Sequence, residues 1–306
     1  MADITLTLGM RSNLLSLQAT SDLINRTQTR MSTGKQVNTA LDNPTNFFAA
    51  MNHMARVDDL NTRKDGMSEA VQLVKAADAG ITGVSALISA AKGVAQAALS
   101  TTSSTDRANY AQTFNTLLVQ IRELASDSGY RGTNLLTNAQ QTVEFGPVTG
   151  GATLNVIGFD STAVGLNIAG ASAQAVFAIG AQTGITDVNS VSTGATSAKA
   201  WVTSTDESTA ATDKLEIQSS STQLETALNT LRAKSSALSA NLNVVTTRQD
   251  FTKNLISTLK TGSDNLTLAD MNEEGANMLM LQTRQSLGIT SLSLASQAAQ
   301  AILRLF

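Results

Sequence analysis

Apolar residues recur at a seven-residue step at both ends of this chain. Met10, Leu17, Ile24 and Met31 form one row, and Met280, Leu287, Leu294 and Ala301 form another, close to Leu305-Phe306. A seven-residue step lays side chains along one helix face, and that stripe is stabilised only by packing on another helix. The two ends are therefore expected to be helices that pack on each other, on further copies of the chain, or on both. The first helix is expected over 4–33. Residues 34–46 then carry turn chemistry, Gly34 at a helix end and later Asp42-Asn43-Pro44, and these four residues mark the expected hinge.

A second helix is expected from about Phe47. Leu60, Met67, Val74, Ile81, Ile88 and Ala95 keep the seven-residue step, with Ala70, Ala77, Val84, Ala91 and Ala98 as a companion row. At 1.5 Å per residue such a helix, from 47 to 98, is roughly 80 Å long. Gly80, Gly83 and Gly93 weaken it locally or allow a neighbour to approach closely. The row of the first helix and the row of the second are one residue out of phase, which predicts separate packing units. After a polar turn at Ser100–Thr105, a third helix is expected from Asp106 to about Ser128, returning antiparallel onto the second.

From Gly129 the pattern changes. Short alternating runs at Val143-Glu144-Phe145, Leu154-Asn155-Val156, Leu166-Asn167-Ile168 and Leu215-Glu216-Ile217 read as strands. The Thr-, Ser- and Ala-rich stretch 183–213 reads as an exposed surface loop. From about Ser221 the helical step returns through Leu224, Leu231, Leu238, Val245, Thr252, Leu259 and Leu266. Ser235, Gln249 and Glu273 interrupt the apolar rows and are candidates for setting register. Gly262 and Gly275 are the expected joints.

The fold class is thus mainly α: a long coiled-coil-like helical bundle formed by both chain ends, with a small β-hairpin-rich central region. The expected domains are a terminal-helix domain (1–33 with 276–306), connecting segments (34–46 and about 262–275), a helical rod domain (47–136 with 221–261) and a region of hairpins and exposed surface (137–220). The rod-domain seam is expected at Leu60, Met67, Val74, Ile81 and Ile88 against Leu231, Leu238 and Val245. Leu14, Leu15, Leu23, Leu281, Leu292, Ile302, Leu303 and Phe306 lie off the terminal rows, so the terminal pair is too narrow to bury all its apolar surface and implies neighbours.

Composition sharpens this picture. Hydrophobic residues make up 42% but aromatics only 4%, so cores must be built from Ala, Leu, Val, Ile and Met. A net charge of -3 leaves no basic footprint for nucleic acid and no Lys/Arg face for a membrane surface. Without cysteine there are no disulfides and no thiolate metal sites. No apolar run of about 18 residues stands out, so no membrane span is expected. Met1-Ala2-Asp3-Ile4-Thr5-Leu6 lacks the basic and apolar blocks of a secretory signal, so any export is expected to use another route. His53, the only histidine, reads as a packing or surface residue, and the adjacent pairs Asp58-Asp59 and Glu273-Glu274 read as solvated helix faces. No catalytic, cofactor-binding or metal residue is assigned, and the chain reads as a protein of assembly rather than an enzyme.

Particular segments carry a resemblance. Met31-Ser32-Thr33-Gly34-Lys35-Gln36-Val37-Asn38, with Ala40-Leu41-Asp42-Asn43-Pro44 after it, resembles the signature that follows the first helix of bacterial flagellins. Tyr130-Arg131-Gly132-Thr133-Asn134-Leu135-Leu136 is similar to the end of their N-terminal block. So are Asp270-Met271-Asn272-Glu273-Glu274-Gly275-Ala276-Asn277, Leu281-Gln282-Thr283-Arg284-Gln285-Ser286-Leu287-Gly288 and the final Leu303-Arg304-Leu305-Phe306 to their tail. The likeness covers about 1–136 and 221–306. It implies an extracellular filament subunit for swimming motility, exported unfolded through the flagellar type III apparatus. In that frame the filament-core interface comprises Met10, Leu17, Ile24, Met31, Met280, Leu287, Leu294, Ala301, Leu305 and Phe306. The implied partners are other copies of the chain, the flagellar cap and hook-junction proteins and an export chaperone.

The positions that match the stretch read by the innate immune receptor in gut flagellins are Ser89, Ala90, Ala91, Lys92 and Gly93, and they lack its charges. Weak recognition by that receptor is therefore expected. The alternative within the same export class is the hook–filament junction protein. An enzyme carried on flagellin-like ends would need a catalytic cluster in 137–220, which has no His or Cys. The flagellin resemblance implies terminal helices that are disordered in the free monomer and fold on assembly, whereas an intracellular coiled-coil scaffold would have ordered ends in the free monomer.

Overall fold

The computed structural model describes residues 8–146, 151–173, 199–202 and 210–303. Among the described residues five helices dominate: α1 (Leu8–Thr33), α2 (Pro44–Ser100), α3 (Ser104–Asp127), α4 (Ala210–Thr267) and α5 (Met271–Leu303). Four short strands are described between α3 and α4: β1 (Gln140–Glu144), β2 (Thr153–Ile157), β3 (Ala171–Ala173) and β4 (Lys199–Val202). The chain is mainly helical, with α1 and α5 packed together and small sheets in its middle. Two compact units result, 1–58 with 255–306 and 59–254, and the division falls within α2 and within α4.

The larger unit holds the main core. The α2 row Met67, Val74, Ile81 and Ile88 is buried, as are Leu231, Leu238 and Val245 of α4. Antiparallel pairing of α2 with α4 is held by three polar contacts spaced along the seam. Lys92 pairs with Glu225 at 2.7 Å, the Ser235 hydroxyl donates to Asp78 at 2.9 Å, and the Gln249 amide donates to Ser68 Oγ at 2.7 Å. Ser235 and Gln249, which interrupt the apolar row, are thus hydrogen-bonded across the seam, where a slipped register would leave them unpaired.

Ser103 caps α3, its hydroxyl accepting from the Asp106 amide at 3.2 Å, and turns the chain back along α2. The return needs small residues on α2. A Cβ on Gly80 would lie 2.3 Å from Ser128 Oγ and 2.6 Å from Leu136 Cδ1, and one on Gly83 would lie 2.7 Å from Leu124 Cδ2. Gly93, by contrast, faces open space. Arg107 and Asp213 form a buried ion pair at 3.3 Å that ties the start of α3 to the start of α4, and the Arg107 guanidinium also donates to the Thr102 carbonyl at 3.2 Å.

Sequence pattern and structure part company in the middle of the chain. β1 and β2 form the expected antiparallel hairpin, with Val143 and Val156 buried. Leu166-Asn167-Ile168 is a turn instead of a strand. Asn167 adopts φ 58°, a left-handed conformation that breaks an extended run and that Asn tolerates. Leu215-Glu216-Ile217 belongs to α4, whose buried positions Asp213, Ile217, Ser220 and Leu224 follow helical spacing. Three alternating residues are too few to separate a strand from one helix turn.

Most of 183–213 lies outside the described residues, but the described part is no exposed loop. In β4, which pairs in parallel with β3, Trp201 and Val202 are fully buried. The Trp201 ring packs 4.7 Å from Phe114 and its indole N–H donates to Ser220 at 3.1 Å. α4 also begins eleven residues before Ser221, at Ala210.

By length and composition, α2 is the one described helix apolar enough to cross a membrane. Its apolar positions Ile81, Val84, Ile88, Ala91 and Ala95 are buried in the core, and core packing accounts for that character.

Candidate assembly surface

In the smaller unit α1 ends where Gly34, at φ 68°, donates its amide to the Arg30 carbonyl at 2.8 Å. Only glycine adopts that conformation without cost, so the stop is encoded locally. The chain then pairs with the α4–α5 junction. The Gln36 amide donates to the Thr267 carbonyl at 2.7 Å, and the Ala269 amide donates to the Gly34 carbonyl at 3.0 Å. The two segments expected to connect domains therefore both lie inside this unit, fastened to each other.

Asp42 accepts hydrogen bonds from the Thr39 amide at 3.0 Å and the Asn38 amide at 3.1 Å, which hold its carboxyl below the usual aspartate range. Asn43 Oδ1 accepts from the Asn46 amide at 3.1 Å, so Asn43 caps α2 and Pro44 is its first residue. The four expected hinge residues thus form a hydrogen-bonded helix stop and start. The joint in the C-terminal helices is at Leu268–Asp270, with Gly262 and Gly275 inside helices. Asp270 caps α5 through the Asn272 amide at 2.8 Å, and a single glycine inside a packed helix costs only about 1 kcal/mol.

α1 and α5 pack antiparallel. Leu17 fits against Gly288, where a Cβ would stand 2.7 Å from Leu17 Cδ2. Asn13 donates to Ser291 Oγ at 3.1 Å, and Arg30 pairs with Glu274 at 2.9 Å. Glu274 is buried, which corrects the reading of Glu273-Glu274 as a solvated pair; Glu273 alone is exposed. The adjacent carboxylates point to different sides of the helix, and one side is covered by α1.

The two terminal stripes fare differently. Met10 is buried, and Leu17, Ile24 and Met31 are half-buried on the side of α1 facing α5. Met280, Leu287 and Leu294 are 58%, 66% and 68% exposed, and Ala301 is exposed as well. The α5 side facing α1 carries Glu274, Leu281, Gly288 and Leu292 instead. Leu305 and Phe306 lie outside the described residues. Among the described residues, Met10 and Leu281 are the buried apolar side chains of this pair, while Leu14, Leu15, Leu23, Leu279 and Ile289 are exposed.

Leu60, the remaining seam residue, is buried at 3% exposure, in the larger unit with the others. His53 is half-buried against Gly262, and no cluster of three metal-ligating side chains occurs among the described residues.

A narrow helix pair with an outward apolar stripe describes an assembly surface, and both chain ends match known family descriptions. Residues 6–141 match the bacterial flagellin N-terminal helical region, and residues 221–306 match the bacterial flagellin C-terminal helical region. This chain belongs to the bacterial flagellin family. It is 28% identical over 294 residues to flagellin FljO of Caulobacter vibrioides, covering 96% of this chain and 94% of that one. It is also 26% identical over 306 residues to a flagellin of Brucella melitensis, covering 100% and 99%. Flagellin C of Rhizobium meliloti is 44% identical over 71 residues, 22% of each chain. As a flagellin family member it is a structural subunit of the flagellar filament, an extracellular polymer of copies of itself, and the hook-junction alternative is not favoured.

Proposed function

We propose that the outward stripe Met280, Leu287, Leu294 and Ala301, with Leu14, Leu15 and Leu23 of α1, is the surface on which neighbouring copies pack in the filament core. The carrying observation is the contrast within one helix pair: among its described residues, two buried apolar side chains and a row of exposed ones along α5. Apolar surface of this extent is stabilised by a neighbour. In this reading Met10, Leu17, Ile24 and Met31 position α5, and α5 presents the contact. The role is mechanical and involves no catalysis.

The remaining partners follow the family: a cap protein at the growing end, hook-junction proteins at the base and an export chaperone. Recognition by the innate immune receptor is weak in this reading. Ala91 is buried and Lys92 is paired with Glu225; Ile121-Arg122-Glu123-Leu124-Ala125, which resembles the receptor-read Arg-x-Arg-Glu-Leu stretch in letters, sits on the following helix, α3. Strong activation of a receptor reporter cell line by purified monomer would refute that point.

Electron microscopy of the purified chain after seeded polymerisation tests the main proposal. Long uniform filaments are expected. Monomers alone, despite seeds, would refute it.

A further inference from the structure

The sulfur atoms of this protein are distributed unevenly. It has nine methionines and no cysteine. Every methionine except Met67 lies within 1–58 or 255–306, the smaller unit, although the other unit is the longer. Met67 is sealed at 0% exposure. In the smaller unit Met51, Met54, Met271 and Met280 are 54%, 40%, 46% and 58% exposed. Met51 follows Phe48 by three positions and precedes Met54 by three, so they share one side of α2 beside the exposed Phe48. Met280 belongs to the outward stripe of α5. A flexible, polarizable side chain suits a surface that must fit several neighbours. It is also, without cysteine, the side chain most open to two-electron oxidation.

We propose that Met51, Met54, Met271 and Met280 are modification sites, and that their oxidation by a hydroperoxide switches the subunit from assembly-competent to assembly-incompetent. The inference rests on the filament reading above. The thioether sulfur attacks the terminal oxygen of hydrogen peroxide. An S–O bond forms, the O–O bond breaks, and water leaves. Sulfur loses two electrons and the peroxide gains them. Each event turns an apolar side chain into a polar sulfoxide on a surface that packing must desolvate. The free subunit offers all four sulfurs to solvent, whereas packing covers them. Order therefore matters: peroxide before polymerisation blocks it, and peroxide afterwards leaves filaments intact.

The test treats purified full-length chain with hydrogen peroxide before or after seeded polymerisation. Critical concentration is read by sedimentation and sulfoxide occupancy by peptide mass spectrometry. Prior treatment is expected to raise the critical concentration roughly tenfold or more with Met67 unmodified, while treated filaments persist. The variant M51L/M54L/M271L/M280L, which conserves volume, is expected to have a critical concentration that peroxide no longer changes. Should that variant fail to polymerise, partially oxidised parent protein is sorted into pellet and supernatant. Sulfoxide enriched at the four sites in the supernatant supports the switch, and equal occupancy overturns it. Fully oxidised protein that assembles at the parent concentration also overturns it, as does a peroxide-sensitive quadruple variant. Failure of the untreated chain to polymerise instead refutes the filament reading itself.

Discussion

Replacing Leu287 and Leu294 with aspartate separates the free subunit from the assembled one. Both side chains are about two-thirds exposed, at 66% and 68%. In the free chain the change falls on solvated surface, where substitutions usually stay within about 0.5 kcal/mol. In an assembly that covers the stripe, each site loses the remaining burial of a leucine. That is about 1–2 kcal/mol, taken as two-thirds of the value for full burial. Each site also gains a buried polar group, costing about 1–3 kcal/mol more. Together these come to about 2–5 kcal/mol per site, so the critical concentration should rise at least about thirtyfold for one substitution. Sedimentation after seeding measures this. Trp201 fluorescence during denaturant unfolding checks that the larger unit is intact, since the only tryptophan is buried there against Phe114. Filaments forming from L287D/L294D at the parent concentration would refute the assignment of the outward stripe.

Three further outcomes are expected. Arg107→Ala leaves Asp213 buried without this partner, and the larger unit should lose about 3–5 kcal/mol in a denaturant titration followed by Trp201. Two glycines of one helix should respond with opposite signs. Gly93→Ala, facing open space, stabilises by about 0.5–1 kcal/mol, whereas Gly80→Ala destabilises by about 1–3 kcal/mol because Ser128 and Leu136 block the new Cβ. Asp42, whose carboxyl is held below its usual range, adds stability above the unfolded-state pKa and loses it as pH falls through the lower folded value. Amide exchange at Asn38 and Thr39 should therefore accelerate only below the ordinary aspartate range, and Asp42→Ala should abolish the protection at neutral pH.

The sequence by itself determined the helices, because their cause is periodic and local. A row such as Leu224, Leu231, Leu238 and Val245 leaves one buried face, and Gly34, Asn43 and Pro44 stop and start helices through their own backbone chemistry. The flagellin signature was legible for the same reason, being carried by contiguous residues at both ends. Tertiary structure decided which face of each helix turns inward. A seven-residue step names a stripe but not its partner. On α5 the stripe Met280, Leu287 and Leu294 faces out, since Gly288 admits Leu17 and Glu274 meets Arg30 on the other side. Two more features were closed to pattern reading. Trp201 is a single large residue in a polar stretch, and its burial depends on Phe114 and Ser220, both remote in sequence. The Arg107–Asp213 pair joins residues 106 positions apart. Contacts of that kind arise from the packing of whole elements, and no local periodicity records them.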